Sequence, residues 1–256
     1  MESEMVVIDN LHVAFNLLLN PDETLRGQFV GLLKNPYQHL VRNKDVLHVL
    51  KGVSLKARRG DRIALIGKNG AGKTTLCRCI AGIYGPKKGS IQINGSIKAI
   101  LDPRSILYPE LTGRENARIV MSLFHDGSES QLQEALEFSE LGRFLDVPFR
   151  TYSSGMQTRL CLSVASCQSA DVFLLDEVFD GADQSFQQKM SKRIMNLIER
   201  SGVVFFVSHS EEQIRRVCNR AIYLKDGHIV ADGNLDEVFA LYNRDSLPTE
   251  GQIQSP

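Results

Sequence analysis

The stretch that decides the fold is "RIALIGKNGAGKTT" (62–75), in which a short apolar run meets a glycine-rich loop. The loop fits the pattern G-x-x-x-x-G-K-[ST], which predicts a strand, a phosphate-binding loop and a helix. Glycines let backbone N–H groups approach phosphate oxygens, the lysine reaches the terminal phosphates, and the threonine offers an oxygen to Mg²⁺. The predicted phosphate-binding residues are Gly67, Lys68, Asn69, Gly70, Ala71, Gly72, Lys73, Thr74 and Thr75, with Thr74 also a predicted Mg²⁺ ligand.

Two later apolar runs, "VFLLDE" (172–177) and "FFVSHS" (205–210), end in residues that suit phosphate chemistry. Asp176 closes the first run and is predicted to hold Mg²⁺. Adjacent strand residues point in opposite directions, so Glu177 is assigned a different task, that of general base for the attacking water. His209 follows the second run, where the ligand edge of a parallel sheet would lie. It is predicted to donate to the terminal phosphate or to hold the water of Glu177, and the plainer alternative is a structural histidine.

Composition sets the broad class of the chain. Its 256 residues are 43% hydrophobic and 23% charged, with a formal net charge of zero. Such a chain can bury a large core and has no overall attraction for nucleic acid or an anionic bilayer, so no nucleic-acid partner is expected. No apolar run approaches the roughly 20 residues of a membrane span, and the first residues lack a signal pattern. The five cysteines show no metal-binding spacing, so we expect a reduced, cytoplasmic protein.

The order of predicted elements indicates an α/β fold with a helical insert. Strands are predicted near 6–15 and 49–57, two more around the Asn94–Gly95 turn, helices over 113–169, and then alternating strands and helices. The predicted division is 1–101 for the first half of the core, with an insertion at about 16–50, and 102–170 for a helical subdomain. The second half of the core is predicted over 171–235 and a C-terminal tail over 236–256.

A further anion site is predicted where "YSSGMQTRLCLSVAS" (152–166) begins a helix. Ser153, Ser154 and Gly155 would place backbone N–H groups and the positive end of a helix at the surface. The loop at 67–75 already surrounds the phosphates of the chain itself. The anion at this second site is therefore inferred to belong to another copy of the protein.

With these motifs in place, the chain resembles the ATP-binding subunits of ABC transporters over about residues 5–240. "GKNGAGKT" is similar to their Walker A motif, "VFLLDE" to Walker B with its glutamate, "YSSGM" to the LSGGQ signature, "DGAD" (180–183) to the D-loop, and His209 to the switch histidine. The resemblance implies a P-loop NTPase with a RecA-like core, an antiparallel β subdomain and an inserted helical subdomain.

The same resemblance implies the cofactors and part of the site. ATP and Mg²⁺ would be the cofactors, and a head-to-tail homodimer would enclose two ATP molecules, with the signature residues facing the partner's ATP. Phe15 would stack on adenine, and Asp183 would end the D-loop. Ser154 and Met156 depart from LSGGQ, but backbone N–H groups carry much of the anion binding, so function is expected to survive the change.

The stretch "LDPRSILYPELTGREN" (101–116) narrows the resemblance to ATP-binding subunits of bacterial polysaccharide exporters, for O-antigen, capsule or teichoic acid. These proteins carry an acidic residue where relatives have glutamine, here Asp102, and an insertion like that at 16–50. Asp102 is either a Mg²⁺ ligand or the cap of a turn. The implied partners are an integral permease and a lipid-linked glycan as cargo, which would place the protein peripherally at the cytoplasmic face of the bacterial cytoplasmic membrane.

Several alternatives remain open at this point. The exporter could carry a drug or another lipid, or the chain could be a soluble ABC ATPase acting on the ribosome or DNA. The latter usually has two fused halves or a long coiled coil, which this chain lacks. Within the insertion, an apolar stripe interrupted by Pro36 could face the membrane or pack on its own domain; its members are Leu25, Phe29, Leu32, Leu33 and Leu40.

Overall fold

The computed structural model describes residues 4–16, 46–101, 107–124, 128–176 and 183–246. The strands are β1 (Glu4–Asn16), β2 (Val46–Arg58), β3 (Arg62–Ile66), β4 (Lys88–Ile93), β5 (Ile97–Ile100), β6 (Val172–Asp176), β7 (Val203–Val207), β8 (Arg220–Lys225) and β9 (His228–Gly233). The α-helices are α1 (Lys73–Ile80), α2 (Gly113–Phe124), α3 (Glu129–Ser139), α4 (Ser154–Ala165), α5 (Gln184–Arg200), α6 (Glu211–Val217) and α7 (Leu235–Ser246).

The main sheet has the strand order β5-β6-β7-β3-β8-β9, parallel except for β9. Its central strands are continuous runs of Val, Ile, Leu and Phe, which is typical of strands covered on both faces. All five residues of β7 are buried. Since β3, β6 and β7 run in the same direction, their carboxyl ends meet at one edge of the sheet. That edge carries Gly67, Asp176 and Ser208.

A smaller antiparallel sheet of order β2-β1-β4 covers one face of the main sheet. Alternate residues of the main strands, such as Leu65, Leu174 and Phe205, join buried residues of β1, β2 and α1 in one cluster. The residues between them point to the opposite face and pack against α5, α6 and α7 in a second cluster. Because side chains alternate along a strand, the same apolar strands serve both clusters.

Helices α2, α3 and α4 form a third hydrophobic cluster of their own, which includes Leu132, Leu136, Phe149 and Leu160. All residues of this cluster lie between 107 and 167. A unit with its own core is how a subdomain is recognised. The proposal of a helical subdomain over 102–170 rests on this separate cluster.

Two sequence expectations differ from the structure. The strands on either side of Asn94–Gly95 do not pair with each other, because β4 joins the small sheet and β5 joins the main sheet. The insertion expected at about 16–50 is shorter at its second end, because β2 begins at Val46. The apolar stripe expected inside the insertion lies outside the described residues.

The C-terminal expectation is also corrected. Residues 236–246, predicted as part of a tail, belong to α7, whose Val238 and Phe239 are buried in the second cluster. Strand β9 was not predicted, although the dipeptide Asp226–Gly227 between β8 and β9 is a recognised hairpin signal. The apolar residues of α7 recur at helical spacing, as in Leu235, Val238, Phe239 and Tyr242, so the sequence did carry a signal for this helix.

Candidate nucleotide-binding and hydrolysis site

The phosphate loop leaves β3 at Ile66 and is enclosed by β8 and β2. Gly67 has φ 149°, and a Cβ atom there would lie 2.2 Å from the carbonyl oxygen of Leu224. Gly72 has φ 106°, and its Cβ would lie 2.7 Å from Cδ2 of Leu50. The backbone conformation and the lack of space both require glycine at these two positions. The sequence therefore forms a tight backbone cradle at the start of α1.

Lys73 is buried and directs its ammonium group into this cradle. Its Nζ donates to the carbonyl oxygens of Gly67 at 2.7 Å and of Lys68 at 3.2 Å. The positive charge thus lies beside the first turn of α1, where the N–H groups of a helix lack partners within the helix. Thr74 and Thr75 occupy the same turn and are half-buried. The N-terminal end of α1, the Lys73 ammonium group and the two threonine hydroxyls together form a suitable binding site for an oxyanion.

Asp176 is the last residue of β6 and lies next to Val207 of β7. Burial raises the pKa of the Cys77 thiol on α1, the negative charge of Asp176 raises it further, and the positive charge of Lys73 lowers it. Both charges therefore act on the same turn of α1, which places the acidic strand end close to the phosphate loop. Glu177 and Asp102 lie outside the described residues, so their assigned roles remain predictions.

The residues at this edge fit a nucleotide carrying Mg²⁺. A backbone oxygen fills the place that a Cβ atom would take at Gly67, so the backbone amides of the loop, and not side chains, line the cradle. Mg²⁺ prefers oxygen ligands and is commonly held by one or two protein groups together with phosphates. The Thr74 hydroxyl and the Asp176 carboxylate supply oxygens of this kind.

His209 lies two residues beyond the end of β7 and is exposed at the same edge. The turn that presents it is fixed by Ser208, whose hydroxyl donates to Oε1 of Gln213 at 2.8 Å and accepts from the Ser210 amide at 3.0 Å. Ser210 then caps α6 through the amide of Gln213. The position fits the predicted role of His209.

Phe15 lies near the end of β1 and is half-buried. Its ring meets Tyr84 edge-on, with centroids 5.2 Å apart. The Tyr84 hydroxyl accepts from Arg78 at 3.1 Å. Sequence reasoning missed this neighbour, because Tyr84 is distant from Phe15 in the chain and no motif joins them. The predicted contact of Phe15 with adenine remains a prediction.

The signature residues lie at the start of α4, as predicted. Ser153 is the N-cap, and its hydroxyl accepts from the Met156 amide at 3.3 Å. Ser153 and Ser154 are exposed, and Gly155 is half-buried. The helix start therefore faces the surface, where a second copy of the chain could reach it.

A buried tyrosine joins this helix start to the "LTGREN" stretch. The Tyr152 hydroxyl donates to the carbonyl oxygen of Phe144. Burial raises the pKa of this phenol to about 12. A Cβ atom on Gly113 would lie 2.1 Å from the Tyr152 hydroxyl oxygen. The glycine of "LTG" and the tyrosine of "YSSG" therefore fit each other.

The remainder of "LTGREN" builds the loop in front of α2. Thr112 and Glu115 form a reciprocal capping box, in which the Glu115 carboxylate accepts from the Thr112 amide at 2.8 Å and the Thr112 hydroxyl accepts from the Glu115 amide at 3.2 Å. Asn116 is buried, and its amide group donates to the carbonyl oxygens of Tyr108, Leu111 and Thr112. The T-x-x-E spacing was the sequence signal for this cap.

A parallel sheet that brings a phosphate loop, an acidic strand end and a histidine turn to one edge defines a P-loop nucleotide hydrolase. The chain belongs to the ABC transporter family, whose sequence profile matches residues 50–180. The predicted family and its α/β P-loop fold are confirmed.

Among curated proteins, the chain is 34% identical over 232 residues to the O-antigen export system ATP-binding protein RfbB of Myxococcus xanthus. It is 35% identical over 228 residues to RfbE of Yersinia enterocolitica and 35% identical over 245 residues to the teichoic acids export protein TagH of Enterococcus faecalis. These matches cover 90%, 88% and 93% of this chain, respectively. The chain spans only 53% of that RfbB and 55% of that TagH, but 95% of RfbE.

Two solved structures show the same fold. One is an ATP-binding cassette in a dimeric post-hydrolysis state with ADP and Pi, with a TM-score of 0.68 and 21% identity over 90% of this chain and 99% of the other. The second is an ATP-binding subunit of an ABC transporter, with a TM-score of 0.65 and 23% identity over 95% of each chain. Across the described part of the chain, the helices are all too short or too polar to traverse a bilayer.

Proposed function

We propose that this protein is the ATP-hydrolysing subunit of an ABC exporter that moves a lipid-linked cell-surface polysaccharide or a teichoic-acid-like polymer outward across the cytoplasmic membrane. The observation that carries the proposal is the contact between Gly113 and Tyr152, which joins the two motifs typical of this exporter class. The names of RfbB, RfbE and TagH support the same cargo class.

In the proposed reaction, the protein residues divide the work by position. Lys73 and the loop amides hold the terminal phosphates of ATP, while Thr74 and Asp176 hold Mg²⁺, which offsets phosphate charge when bound. Glu177 accepts a proton from the attacking water. His209 orients that water or donates to the terminal phosphate. The meeting of the phosphate loop, Asp176 and the turn of His209 at one edge of the main sheet supports this proposal.

The second ATP contact comes from another copy of the chain. Ser153, Ser154 and Gly155 lie at a helix start that faces the surface and would bind the terminal phosphate of the partner's ATP. Asp183, the last residue of the proposed D-loop, caps the start of α5, and Phe15 would lie against adenine. The proposed assembly is therefore a head-to-tail homodimer enclosing two ATP molecules.

The general-base assignment is tested by Glu177→Gln. The amide cannot accept the proton of water, so ATP should still bind and hold the dimer together while hydrolysis falls by about a hundredfold or more. Steady-state phosphate release and size-exclusion chromatography with ATP and Mg²⁺ would measure the two effects. Hydrolysis at the unmodified rate would show that Glu177 is not the base.

The proposed permease contact is the loop in front of α2. Tyr108 exposes 59% of its surface there, although its backbone is tied to the side chain of Asn116. The Arg150 side chain also pairs with Glu110 at 3.2 Å. An exposed aromatic ring on a rigid loop suits a contact with a permease, because little ordering is needed on binding. The protein would then lie at the cytoplasmic face of the membrane.

The cargo class is tested by purifying the tagged protein from native membranes and identifying the proteins and lipids that accompany it. We expect an integral permease together with a polyprenyl-linked sugar polymer. A Tyr108→Ala protein provides the control, because it should recover less permease while hydrolysing ATP normally. Recovery of a permease with a different lipid or a drug would overturn the cargo, and recovery of ribosomes or DNA would overturn the transporter proposal.

A further inference from the structure

A cluster of charged side chains joins the signature helix α4 to the start of α5. Its centre is Arg159, which lies six residues after the signature Ser153 and exposes only 19% of its side chain. The guanidinium group contacts Asp183 on one side and Glu140, at the C-terminal end of α3, on the other. Arg159 therefore links the helical subdomain to the core, beside a second link between Arg193 of α5 and Glu134 of α3.

One carboxylate oxygen of Asp183 binds Arg159, and the other binds the first turn of α5. Oδ2 accepts from Nε of Arg159 at 3.0 Å and from Nη2 at 2.6 Å. Oδ1 accepts from the amide of Phe186 at 3.1 Å, which caps α5, and from the hydroxyl of Ser185 at 2.7 Å. The hydrogen bond from Arg159 is the main reason that the pKa of Asp183 lies below its usual value. The last residue of the proposed D-loop is thus fixed to α4.

Further contacts make the arrangement rigid. The Arg159 guanidinium lies over the ring of Phe186, 5.0 Å from its centroid. Glu140 accepts from Nη1 of Arg159 at 3.2 Å and from Nζ of Lys189 on α5 at 2.6 Å. A planar guanidinium can bind two carboxylates and stack on a ring at once, which a lysine cannot do. The position of α4 is therefore transmitted to α5 through directional bonds.

We propose that Arg159 is a positioning residue that couples the signature helix to the hydrolytic strand end of the same protomer. Asp183 is connected to Asp176 through residues 177–182, which contain the proposed base Glu177. When the signature residues of α4 engage the partner's ATP, Arg159 carries the resulting position of α4 to Asp183. This inference rests on the proposed head-to-tail dimer, because only there does α4 contact a second ATP.

The first test is Arg159→Met, which keeps an apolar side chain on Phe186 and removes the bonds to both carboxylates. We expect kcat for ATP hydrolysis to fall about tenfold or more while KM for ATP changes less than about threefold. The Hill coefficient should fall toward that of independent sites. ATP binding itself should persist, since the phosphate loop is untouched.

The second test is Asp183→Ser, which keeps an N-cap for α5 but is too short to reach Arg159. We expect the same loss of kcat as for Arg159→Met, and the double variant should lose no more than either single variant. Asp183→Ser also serves if Arg159→Met fails to fold, because Arg159 then stays packed on Phe186. An unchanged kcat in a folded Asp183→Ser protein would overturn the inference.

A matched control exists elsewhere in the chain. Arg215 on α6 also binds two carboxylates, those of Glu211 and Asp236, and its guanidinium lies over the ring of Phe239. These contacts join α6 to α7 and do not involve the signature helix α4. Arg215→Met should therefore leave kcat and the Hill coefficient unchanged. Equal loss in Arg159→Met and Arg215→Met would overturn the coupling role, because both effects would then reflect general stability.

The dimer is checked separately, with Arg159 intact. Glu177→Gln should form an ATP-dependent dimer, and Glu177→Gln with Arg159→Met should form it too. If the Glu177→Gln protein fails to dimerise, the proposed head-to-tail assembly is wrong. The coupling role proposed for Arg159 is then wrong as well, because it depends on that assembly. If only the protein that also carries Arg159→Met fails, Arg159 acts in assembly and the positioning role is overturned.

Discussion

Gly67 shows how much of the site depends on one residue without a side chain. Its backbone conformation disfavours other residues, and its neighbour on β8 leaves no room for a Cβ atom. Gly70 in the same loop has φ 80°, but among the described residues no heavy atom lies within 4 Å of the place a Cβ would take. The two glycines therefore separate the effect of conformation from the effect of space.

We expect Gly67→Ala to destabilise the protein by more than about 2 kcal/mol, because β8 or the loop must move to admit the methyl group. Gly70→Ala should cost only about 1 kcal/mol, from its left-handed conformation. Thermal unfolding of both variants measures the difference, and calorimetric titration with ATP should show binding lost in Gly67→Ala. Similar unfolding temperatures would show that the loop yields where the structure has it enclosed.

The positions of single residues in the fold were predictable wherever a motif fixes their spacing along the chain. The phosphate loop, Asp176 and the cap Ser153 lie where their local patterns indicate. Residues brought together by the fold were not predictable in this way. Nothing near Phe15 in the sequence points to Tyr84, and nothing near Arg159 points to Asp183, because those contacts depend on the packing of distant elements.

Among the elements, the starts of α2 and α4 pack against each other through Gly113 and Tyr152. The tyrosine hydroxyl occupies the space in which a side chain of residue 113 would lie. The same hydroxyl donates to the carbonyl oxygen of Phe144, which fixes it beside the start of α2. The loop in front of α2 and the signature helix therefore share one buried contact.

We expect Gly113→Ala to cost about 1–3 kcal/mol of unfolding free energy, because the methyl group collides with the Tyr152 hydroxyl. In a Tyr152→Phe protein the same change should cost less, since the nearest oxygen is gone, giving a coupling of about 1 kcal/mol. Urea unfolding of the four proteins completes the cycle. Additive costs would mean that the two residues do not share this space.

The strands on either side of Asn94–Gly95 show the limit of sequence reasoning for elements. Their local pattern, two apolar runs separated by Asn-Gly, is typical of a hairpin. Yet β4 pairs with β1, and β5 pairs with β6. Ser96, which lies between β4 and β5 in the chain, donates hydrogen bonds from its amide and its hydroxyl to the Asp171 carboxylate. The pairing partners come from distant parts of the chain, so a local pattern could not select them.

At the scale of the whole molecule, three hydrophobic clusters are held together by the strands of the main sheet and by charged contacts between subdomains. Helix α7 completes the second cluster, with Val238 and Phe239 buried and Tyr242 packed edge-on against Tyr223. Its Asp245 pairs with Lys225 of β8 at 2.7 Å. The segment predicted as a tail is thus a structural part of the core.

Phe239→Ala should lower the free energy of unfolding by about 3–5 kcal/mol, because it leaves a cavity beneath α7. The exposed Val230 on β9 provides the control, and Val230→Ala should change stability by no more than about 0.5 kcal/mol. Chemical unfolding followed by circular dichroism compares them. If the Phe239→Ala and Val230→Ala proteins had equal free energies of unfolding, α7 would be a loosely attached tail.

The ends of β1 and β2 have a consequence for how such chains diversify. Phe15 lies opposite Leu47, and Asn16 lies opposite Val46, so the chain departs toward 17–45 and returns at adjacent points of one ladder. Closing a longer or shorter segment between neighbouring points changes the loop entropy only slowly with length. The pairing of β1 with β2 can therefore stay the same while the segment that joins them changes in length.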